Sequence, residues 1–262
     1  MSDDLEHDLI SLKLHWLAAN LSDLIARATR AKTAPRELIA EIAKAEILDR
    51  GARSTERRLR DARIGRFKLM SDFDWAWPKD LDRGAVEKAL ALDFLNDDAN
   101  VILAGPQGVA KSMIAKNIAH NAVMAGHTAL VTTAAQLVAD LGQQESTRLL
   151  ENRLRHYLRP TVLVIDEIGY LSFDGRAADL IFQVVSRRYE QGPIVLTTNL
   201  AFKDWTTVFP GAACLVALVD RLMHHAEVIS IDAESYRNRE NQQRLAKKCK
   251  AQAKPKEKKN EK

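Results

Sequence analysis

Residues 101–112 read VILAGPQGVAKS, and the helical sequence MIAKNIAHNAVMAG follows and ends at Gly126. An apolar strand, a glycine-containing loop and a helix in this order are typical of a phosphate-binding loop, where backbone N–H groups and the positive end of the helix surround a phosphate. Lys111 would then reach β- and γ-phosphate oxygens, and the Ser112 hydroxyl would bind Mg²⁺. The stretch predicts an ATP-binding segment made of Gly105, Pro106, Gln107, Gly108, Val109, Ala110, Lys111, Ser112 and Met113.

Ala110 stands where the strict pattern of such loops has glycine. If this position needs left-handed backbone dihedrals, alanine costs about 1 kcal/mol there, which the binding energy of a triphosphate can absorb. If the methyl group meets a phosphate oxygen instead, the affinity would collapse. Gly105, Gly108 and the Lys-Ser pair are intact, so the nucleotide interpretation is retained with both alternatives open.

Residues 162–167, VLVIDE, form a second apolar run that ends in Asp166 and Glu167. Strand tips in an open α/β sheet face the ligand crevice, and burying acids without a use is costly. We expect Asp166 to hold Mg²⁺, directly or through water, and Glu167 to orient the attacking water. The alternative is that both acids end the strand in solvent.

Residues 194–199, IVLTTN, form a third buried strand with a polar tip. In ATPases with a further strand between the phosphate loop and the acidic strand, this tip lies beside the γ-phosphate. Asn199 is the candidate for that contact and Thr198 is the second choice. Asparagine at such a place also often only turns the chain.

An arginine is expected wherever negative charge develops on a transferred phosphoryl group. Arg221 precedes the last strand and lies outside the loops already assigned, so it is better placed to act on the nucleotide of a neighbouring subunit. Arg187 and Arg188 are the rival candidates, and each of the three could instead be a surface ion-pair residue. His224 and His225 have no third ligand at metal-binding spacing in the sequence, which argues against zinc.

The organisation of the chain indicates an α/β protein. Near-continuous apolar strands separated by helices imply a parallel sheet with both faces covered, here with five strands. The predicted strands are residues 101–105, 128–133, 161–166, 194–199 and 227–232.

The first 68 residues are predicted to form a small all-helical module. Apolar residues from Leu5 to Arg30 recur at helical spacing, and Pro35 suits the first turn of a second helix that continues into an arginine-rich stretch. Residues 71–78, SDFDWAWP, form an aromatic connector that either covers an edge or pocket or simply packs. We assign residues 69–246 to an ATPase domain and 247–262 to a basic, disordered tail.

Composition excludes several classes of protein. Hydrophobic residues make up 46% and charged residues 28%, which is the balance of a packed globule and not of a disordered chain. The apolar runs are too short for a membrane span, the first residues do not resemble a secretory signal, and the two cysteines lack metal-ligand spacing. These observations predict a cytoplasmic protein with no membrane partner.

The net charge of +4 is unevenly distributed. Residues 50–68 carry eight basic and two acidic side chains, and residues 237–262 carry eleven basic and three acidic ones, which leaves −10 for the rest. Basic segments on an acidic body suit a polyanion, because each can neutralise phosphates and release counterions. For the tail, a purely solubilising role is the alternative.

Taken together, the sequence resembles the IstB/DnaC group of AAA+ ATPases, and specifically the IstB-like transposition helpers. The likeness runs through the segments DFDW, GPQGVAKSMIA, LVIDEIGYLSFD, SRRYEQGPIVLTTNL and LVDRLMHHAEVISIDAESYR. The resemblance implies a three-layer AAA+ sandwich that binds ATP and Mg²⁺ and oligomerises with nucleotide at the subunit interfaces. It also implies binding and bending of double-stranded DNA and engagement of a DDE-type transposase.

The resemblance assigns roles to individual residues. It implies that Ser112 and Asp166 bind the metal and that Glu167, Lys111, Asn199 and Arg221 act in catalysis. Too few residues follow the last strand for the helical lid of many AAA+ proteins, and Arg237 is the candidate to replace part of its sensor. The alternatives are a DnaC-like helicase loader and, because of Ala110, an ATP-binding DNA adaptor with little hydrolysis.

Overall fold

The computed structural model describes residues 2–78, 80–169, 174–233, 235 and 236. The chain divides into two compact units, of which the first ends at Arg60 and the second begins at Asp61. The predicted tail at 247–262 and the candidate Arg237 lie outside the described residues.

The first unit is helical, as predicted, and contains α1 (Ser2–Ser11), α2 (His15–Ala31) and most of α3 (Pro35–Asp61). The prediction of one continuous helix from Leu5 to Arg30 is wrong, because the chain breaks at Lys13, which has a φ of 62°. Leu9, Leu17 and Leu24 form the buried core of the three helices. The helical spacing of apolar residues therefore continues from α1 into α2, so this spacing alone could not reveal the break between them.

A buried carboxylate accounts for the new start at α2. Glu46 on α3 is 5% exposed and accepts a hydrogen bond from the backbone N–H of Leu17 (2.8 Å) in the first turn of α2. Leu14, which precedes α2, offers no side-chain cap. Glu46 thus satisfies an N–H group that has no partner within the helix and places a negative charge at the positive helix end.

The second unit is built on one six-stranded sheet. Its strands are β1 (Asp80–Leu81), β2 (Asn100–Ala104), β3 (Ala129–Thr133), β4 (Val162–Ile168), β5 (Ile194–Thr198) and β6 (Ala226–Asp232). Their order is β1-β6-β2-β5-β4-β3, and only the β1–β6 pair is antiparallel. The five predicted parallel strands are confirmed. The expected strand number is corrected to six, since β1 has only two residues and no apolar pattern.

Helices cover both faces of this sheet. They are α4 (Arg83–Ala91), α5 (Lys111–Met124), α6 (Ala134–Gly142), α7 (Thr147–Leu158), α8 (Gly175–Arg188), α9 (Trp205–Val208) and α10 (Leu215–Met223). One core cluster joins alternate strand residues such as Ile102, Leu163 and Ile165 to α6, α8 and α10. On the other face α5 packs against β2 to β5 and against α4. The predicted three-layer α/β arrangement is confirmed.

The carboxyl ends of the parallel strands meet at one edge of the sheet. The backbone N–H of Gly105, just after β2, donates to the carbonyl of Thr198 at the end of β5 (3.2 Å). The β4–β5 register shifts between Ile165 and Ile168, so the acidic tip of β4 bulges at this edge. Among the described residues no helix is both long and apolar enough to cross a membrane.

Candidate nucleotide-binding site

The predicted phosphate-binding loop leads from β2 into α5. Ala110 is the last residue before the helix and has a φ of 70° and a ψ of 13°, which is the left-handed region. The backbone therefore demands the conformation that glycine adopts freely, and alanine costs about 1 kcal/mol here. This is the first of the two alternatives considered for Ala110.

The two glycines of the loop are required by close contacts. A Cβ on Gly105 would lie 2.3 Å from the carbonyl oxygen of Ile231 on β6, and one on Gly108 would lie 2.4 Å from Oγ of Ser235. The carbonyl of Gly108 also accepts a hydrogen bond from the backbone N–H of Tyr236 (2.8 Å). The loop is thus pressed against the end of β6 and the residues after it.

Lys111 opens α5 and is only 6% exposed. Its Nζ donates to the carbonyl oxygens of Gly105 (2.7 Å) and Pro106 (2.6 Å). These contacts hold the ammonium group inside the curve of the loop. Phosphate oxygens that enter the loop can replace one or both carbonyls as partners.

Ser112 and Asp166 meet across the gap between α5 and β4. The Ser112 hydroxyl donates to Oδ1 of Asp166 (2.9 Å), and Asp166 is 6% exposed. Hydroxyl and carboxylate oxygens are the ligands that Mg²⁺ prefers, and this distance lets both reach one ion. The two residues therefore fit the magnesium site that the sequence predicts.

Thr197 on β5 was missed by the sequence analysis and lies at the centre of this group. Its hydroxyl donates to Oδ1 of Asp166 (2.5 Å) and accepts a hydrogen bond from the backbone N–H of Glu167 (2.9 Å). One hydroxyl thus fixes both acidic residues. The available signal was the pair of threonines, Thr197 and Thr198, at the end of a buried apolar strand, of which only Thr198 was considered.

Glu167 has a φ of 67°, which is uncommon for a residue with a side chain. The strained residue coincides with the bulge in β4, where the side chain is turned out of the regular alternation. Glu167 contributes to the wall of the cavity at the loop. Strain of this kind persists only where surrounding contacts impose it, and here Thr197 does so.

Asn199 lies just beyond β5 and packs over Gly169. A Cβ on Gly169 would lie 2.4 Å from Oδ1 of Asn199, and that oxygen is buried with no hydrogen-bond partner among the described residues. Thr198, the second choice, is fully buried, and its hydroxyl bonds only to backbone groups of Leu200 (3.2 Å). Neither Asn199 nor Thr198 lines the cavity at the loop, so the contact of Asn199 with a γ-phosphate stays a prediction.

A cavity of about 360 Å³ lies over the loop. Its walls combine the loop, the first turns of α5 and two strand tips with residues before β1 and after β6: Gly108, Val109, Ala110, Lys111, Ser112, Met113, Lys116, Glu167, Thr197, Arg66, Phe67, Lys68 and Tyr236. Gly105 and Pro106 face Lys111 instead, and Gln107 is exposed. The volume suits a ligand of nucleotide size.

The wall away from the loop is held by Asn117, another residue that the sequence analysis missed. Asn117 is buried on α5, donates to the carbonyls of Lys68 and Met113 (both 2.8 Å) and accepts the N–H of Met70 (3.1 Å). These bonds fix the segment with Arg66, Phe67 and Lys68 against α5. A polar residue on the buried face of a helix was the available signal.

The aromatic connector reaches the same wall. The Phe73 ring meets Trp75 (4.9 Å between centroids) and Trp77 (6.4 Å), and Trp77 meets Tyr236 (5.1 Å), each edge to face. Tyr236 in turn lines the cavity. The connector therefore packs as a cluster and also supports one side of the pocket, which combines the two alternatives proposed for it.

The rival arginines at the end of α8 lie away from the cavity. Arg188 is 3% exposed and donates to five backbone carbonyls, those of Tyr157, Leu158, Pro160, Thr161 and Pro193, at 2.9–3.2 Å. Burial lowers the pKa of Arg188 to about 10. Arg187 makes two hydrogen bonds with Glu151 (both 2.6 Å). Both side chains are thus occupied within the fold.

Arg221 on α10 lies at the amino-terminal edge of the sheet, beside the first residues of β2 and β5, and not at its own loop. Its guanidinium carbon is 4.8 Å from the centroid of the Phe182 ring, and its Nη1 is buried without a partner among the described residues.

His224 and His225 follow Arg221 in the chain. The structure brings a third possible metal ligand to them, Glu190, which the sequence did not reveal, and the candidate ligand atoms of all three lie within 4.8 Å of one another. All three side chains are exposed.

Comparisons with known proteins identify the family of this chain. The family model for IstB-like ATP binding proteins matches residues 7–244. A protein named for ATP binding from insertion sequence IS21 of Pseudomonas aeruginosa is 35% identical over 90% of this chain and 89% of its own length. A counterpart from insertion sequence IS5376 of Geobacillus stearothermophilus is 33% identical over 87% of this chain and 91% of its own.

Solved structures support the fold. DnaI matches with a TM-score of 0.52 and 19% identity, over 66% of this chain and 91% of its own. The replication initiator DnaA, bound to AMPPCP and single-stranded DNA, matches with a TM-score of 0.53 and 16% identity, over 68% of this chain and 54% of its own. The fold is that of the AAA+ proteins. With its phosphate-binding loop, acidic strand tip and family match, this chain belongs to the family of IstB-like ATP-binding proteins.

Proposed function

We propose that this protein is a cytoplasmic ATPase that helps DNA transposition. ATP joins its subunits around double-stranded DNA, the assembly bends the DNA, and a DDE-type transposase is recruited to it. The observation that supports this proposal most is that Lys111, Ser112 and Glu167 line one cavity, with Asp166 hydrogen-bonded to Ser112 behind its wall. Further support comes from relatives that belong to insertion sequences.

The binding step uses residues that already contact one another. Nζ of Lys111 exchanges its carbonyl partners for oxygens of the β- and γ-phosphates, while backbone N–H groups of Gly108 to Ser112 surround the β-phosphate. Ser112 and Asp166 hold Mg²⁺, and the ion neutralises charge on the phosphates. Thr197 keeps the Asp166 carboxylate in place through its hydroxyl.

The hydrolytic step assigns Glu167 to the attacking water. The carboxylate accepts a hydrogen bond from that water and orients it toward the γ-phosphorus, while Asn199 donates to a γ-phosphate oxygen. Arg221 lies at the opposite edge of the sheet, so it serves the nucleotide of an adjacent subunit. Hydrolysis then removes the phosphate that links the two subunits and loosens the assembly.

The arginine-rich part of α3 supports DNA binding. Arg50, Arg53, Arg57 and Arg60 are exposed on this helix, and Arg53 pairs with Asp49 (2.6 Å). No base-reading motif is evident in the sequence, so we expect contacts with the phosphate backbone and with DNA shape. Binding of this kind weakens steeply as salt increases.

The test is DNA-dependent phosphate release by the wild type and by Glu167→Gln. We expect duplex DNA to raise turnover of the wild type, and the variant to bind ATP but hydrolyse it about 100-fold more slowly, since general-base catalysis is lost. Turnover that responds neither to DNA nor to the substitution would refute the proposal. Co-purification with a replicative helicase in place of the transposase would support the helicase-loader alternative.

A further inference from the structure

The outer edge of the sheet, at β3, is partly covered by the chain that enters the second unit. The backbone N–H of Val131 on β3 donates to the carbonyl of Ala62 (2.9 Å). Ala62 and Ile64 are buried, whereas Arg63 between them is exposed and has a φ of 52°. The local backbone thus directs an arginine out of the molecule beside an edge strand.

Two cavities of about 470 and 400 Å³ lie along this edge, between β3 and α7. The first has Arg155 and Arg159 in its wall, and the second has Arg63 and Arg153. His156 lines both and therefore lies between them. We call the two cavities together the β3 cleft.

The β3 cleft carries an excess of positive charge. Its walls hold four arginines against two acids, Asp61 and Asp140. Asp140 is occupied, because its Oδ2 accepts hydrogen bonds from Arg153 (2.6 Å) and from the Tyr157 hydroxyl (2.5 Å). These bonds hold the pKa of Asp140 below its ordinary value although burial opposes them.

Three arginines of the cleft remain available for a ligand. Within the part of the chain that the structure describes, Arg63, Arg155 and Arg159 form no ion pair, and all three are exposed. Glu151, whose pKa the charge of Arg155 helps to lower, has both of its oxygens bound by Arg187. Guanidinium groups left free in this way match the geometry of phosphate oxygens.

His156 provides a second, independent observation. Its Nε2 is buried and has no hydrogen-bond partner among the described side chains and backbone groups. Burial lowers the pKa of His156, and the charges of Arg153 and Arg63 lower it further. The His156 ring thus lies among positively charged side chains, and its buried Nε2 lacks a hydrogen-bond partner. Buried polar atoms in native proteins usually have one.

We infer that the β3 cleft binds consecutive phosphates of one strand of double-stranded DNA, in addition to the arginines of α3. A continuous backbone suits two adjoining cavities with arginines in both walls, whereas a free phosphate would fill only one. This inference rests on the proposed function, because it places part of the DNA contact on the ATPase unit. DNA held there is bound by the unit that contains the nucleotide cavity.

The test compares two double variants with the same loss of charge. Arg155→Gln/Arg159→Gln removes two arginines of the cleft, and Arg83→Gln/Lys88→Gln removes two exposed cations of α4, where Arg83 already pairs with Glu87 (2.6 Å). Affinity for a fluorescent duplex is measured over a salt series. We expect the cleft variant to bind about 10-fold more weakly and to lose roughly two from the slope of log affinity against log salt, with the control near wild type.

Three further measurements keep the outcomes distinct. Melting temperature and ATP binding without DNA report whether the cleft variant folds, and Arg155→Lys/Arg159→Lys, which keeps the charge, should recover most of the slope. Equal losses in both Gln variants would overturn the inference and leave the proposed function standing. A loss seen only with single-stranded DNA would overturn the duplex assignment. A wild type that binds no duplex would refute the proposed function itself.

Discussion

Two buried cations lie at opposite edges of the same sheet, and both are held by backbone carbonyl oxygens. Lys111, at the carboxyl edge, is 6% exposed and donates to two carbonyls of the loop beside a cavity of about 360 Å³. Arg188, at the amino edge, is 3% exposed and has five carbonyl partners, and the cavity beside it measures about 10 Å³. That space is too small for a ligand.

The two cations differ in which backbone carbonyls would lose a hydrogen-bond donor if the side chain moved. The carbonyls bound by Arg188 include those of Tyr157 and Leu158, at the end of α7, which have no partners within that helix. Arg188 therefore closes a helix end and joins it to the starts of β4 and β5. Lys111 instead donates to two carbonyls of the loop that precedes it. Arg188 therefore stabilises the fold at the amino edge, whereas Lys111 at the carboxyl edge can exchange its carbonyl partners for a ligand.

The largest expected effect is on stability at the amino edge. Arg188→Met should lower the free energy of unfolding by about 3–5 kcal/mol, because several buried carbonyls then lose their hydrogen-bond donor. Urea unfolding followed by circular dichroism measures this loss. Arg187→Met, on the next residue, removes only an exposed ion pair and should change much less. Similar losses of unfolding free energy in the two variants would show that the carbonyl bonds of Arg188 add no particular stability.

At the carboxyl edge the same replacement should act on binding. Lys111→Met is expected to weaken ATP affinity about 100-fold, since charge-assisted hydrogen bonds to the phosphates are lost. The free energy of unfolding without nucleotide should change by no more than about 1 kcal/mol, because the loop carbonyls can turn to water. Calorimetric titration and urea unfolding test both halves. A loss of stability as large as that of Arg188→Met would break the comparison.

An intermediate effect is expected at Thr197, whose hydroxyl serves both acids of the β4 tip. Thr197→Val keeps the shape and removes the bonds to Asp166 and to the Glu167 N–H, so hydrolysis should fall about 10-fold and stability by about 1–2 kcal/mol. Steady-state turnover at several Mg²⁺ concentrations is the measurement. Thr197→Ser retains the hydroxyl and should behave like the wild type. An unaffected valine variant would show that the acids hold their own positions.

The smallest effect is expected at Ala110. Ala110→Gly relieves the left-handed strain and should raise the free energy of unfolding by about 1 kcal/mol, with turnover almost unchanged. Thermal unfolding and phosphate release report the two quantities. A strong rise in turnover would instead support the ATP-binding adaptor with little hydrolysis.

The sequence predicted those features that follow a regular apolar spacing or a known loop pattern. The apolar runs predicted the five parallel strands, and the loop pattern raised a left-handed Ala110 as one of two alternatives, which the structure shows. Residues whose partners come from distant parts of the chain escaped prediction. Thr197, Asn117 and Glu46 each bond to groups 29 to 49 positions away, and no local spacing encodes such a partner.

The same limit explains why the sequence left Arg187 and Arg188 as rivals of Arg221. Arg187 and Arg188 are adjacent and chemically identical in the sequence, yet the helix phase buries one and exposes the other. Only the fold shows that five carbonyls surround Arg188. Residue type and order therefore suggested the candidate residues, while tertiary contacts show that Arg187 and Arg188 are bound within the fold.

The contact between Gly108 and Tyr236 has a mechanical consequence. The carbonyl of one is tied to the N–H of the other, and Ser235 leaves no room above Gly108 for even a methyl group. A displacement of the glycine-rich turn must therefore pull on the polypeptide just where it leaves the last strand. We therefore expect a ligand bound at Gly108 to affect the position of Tyr236 through this one hydrogen bond.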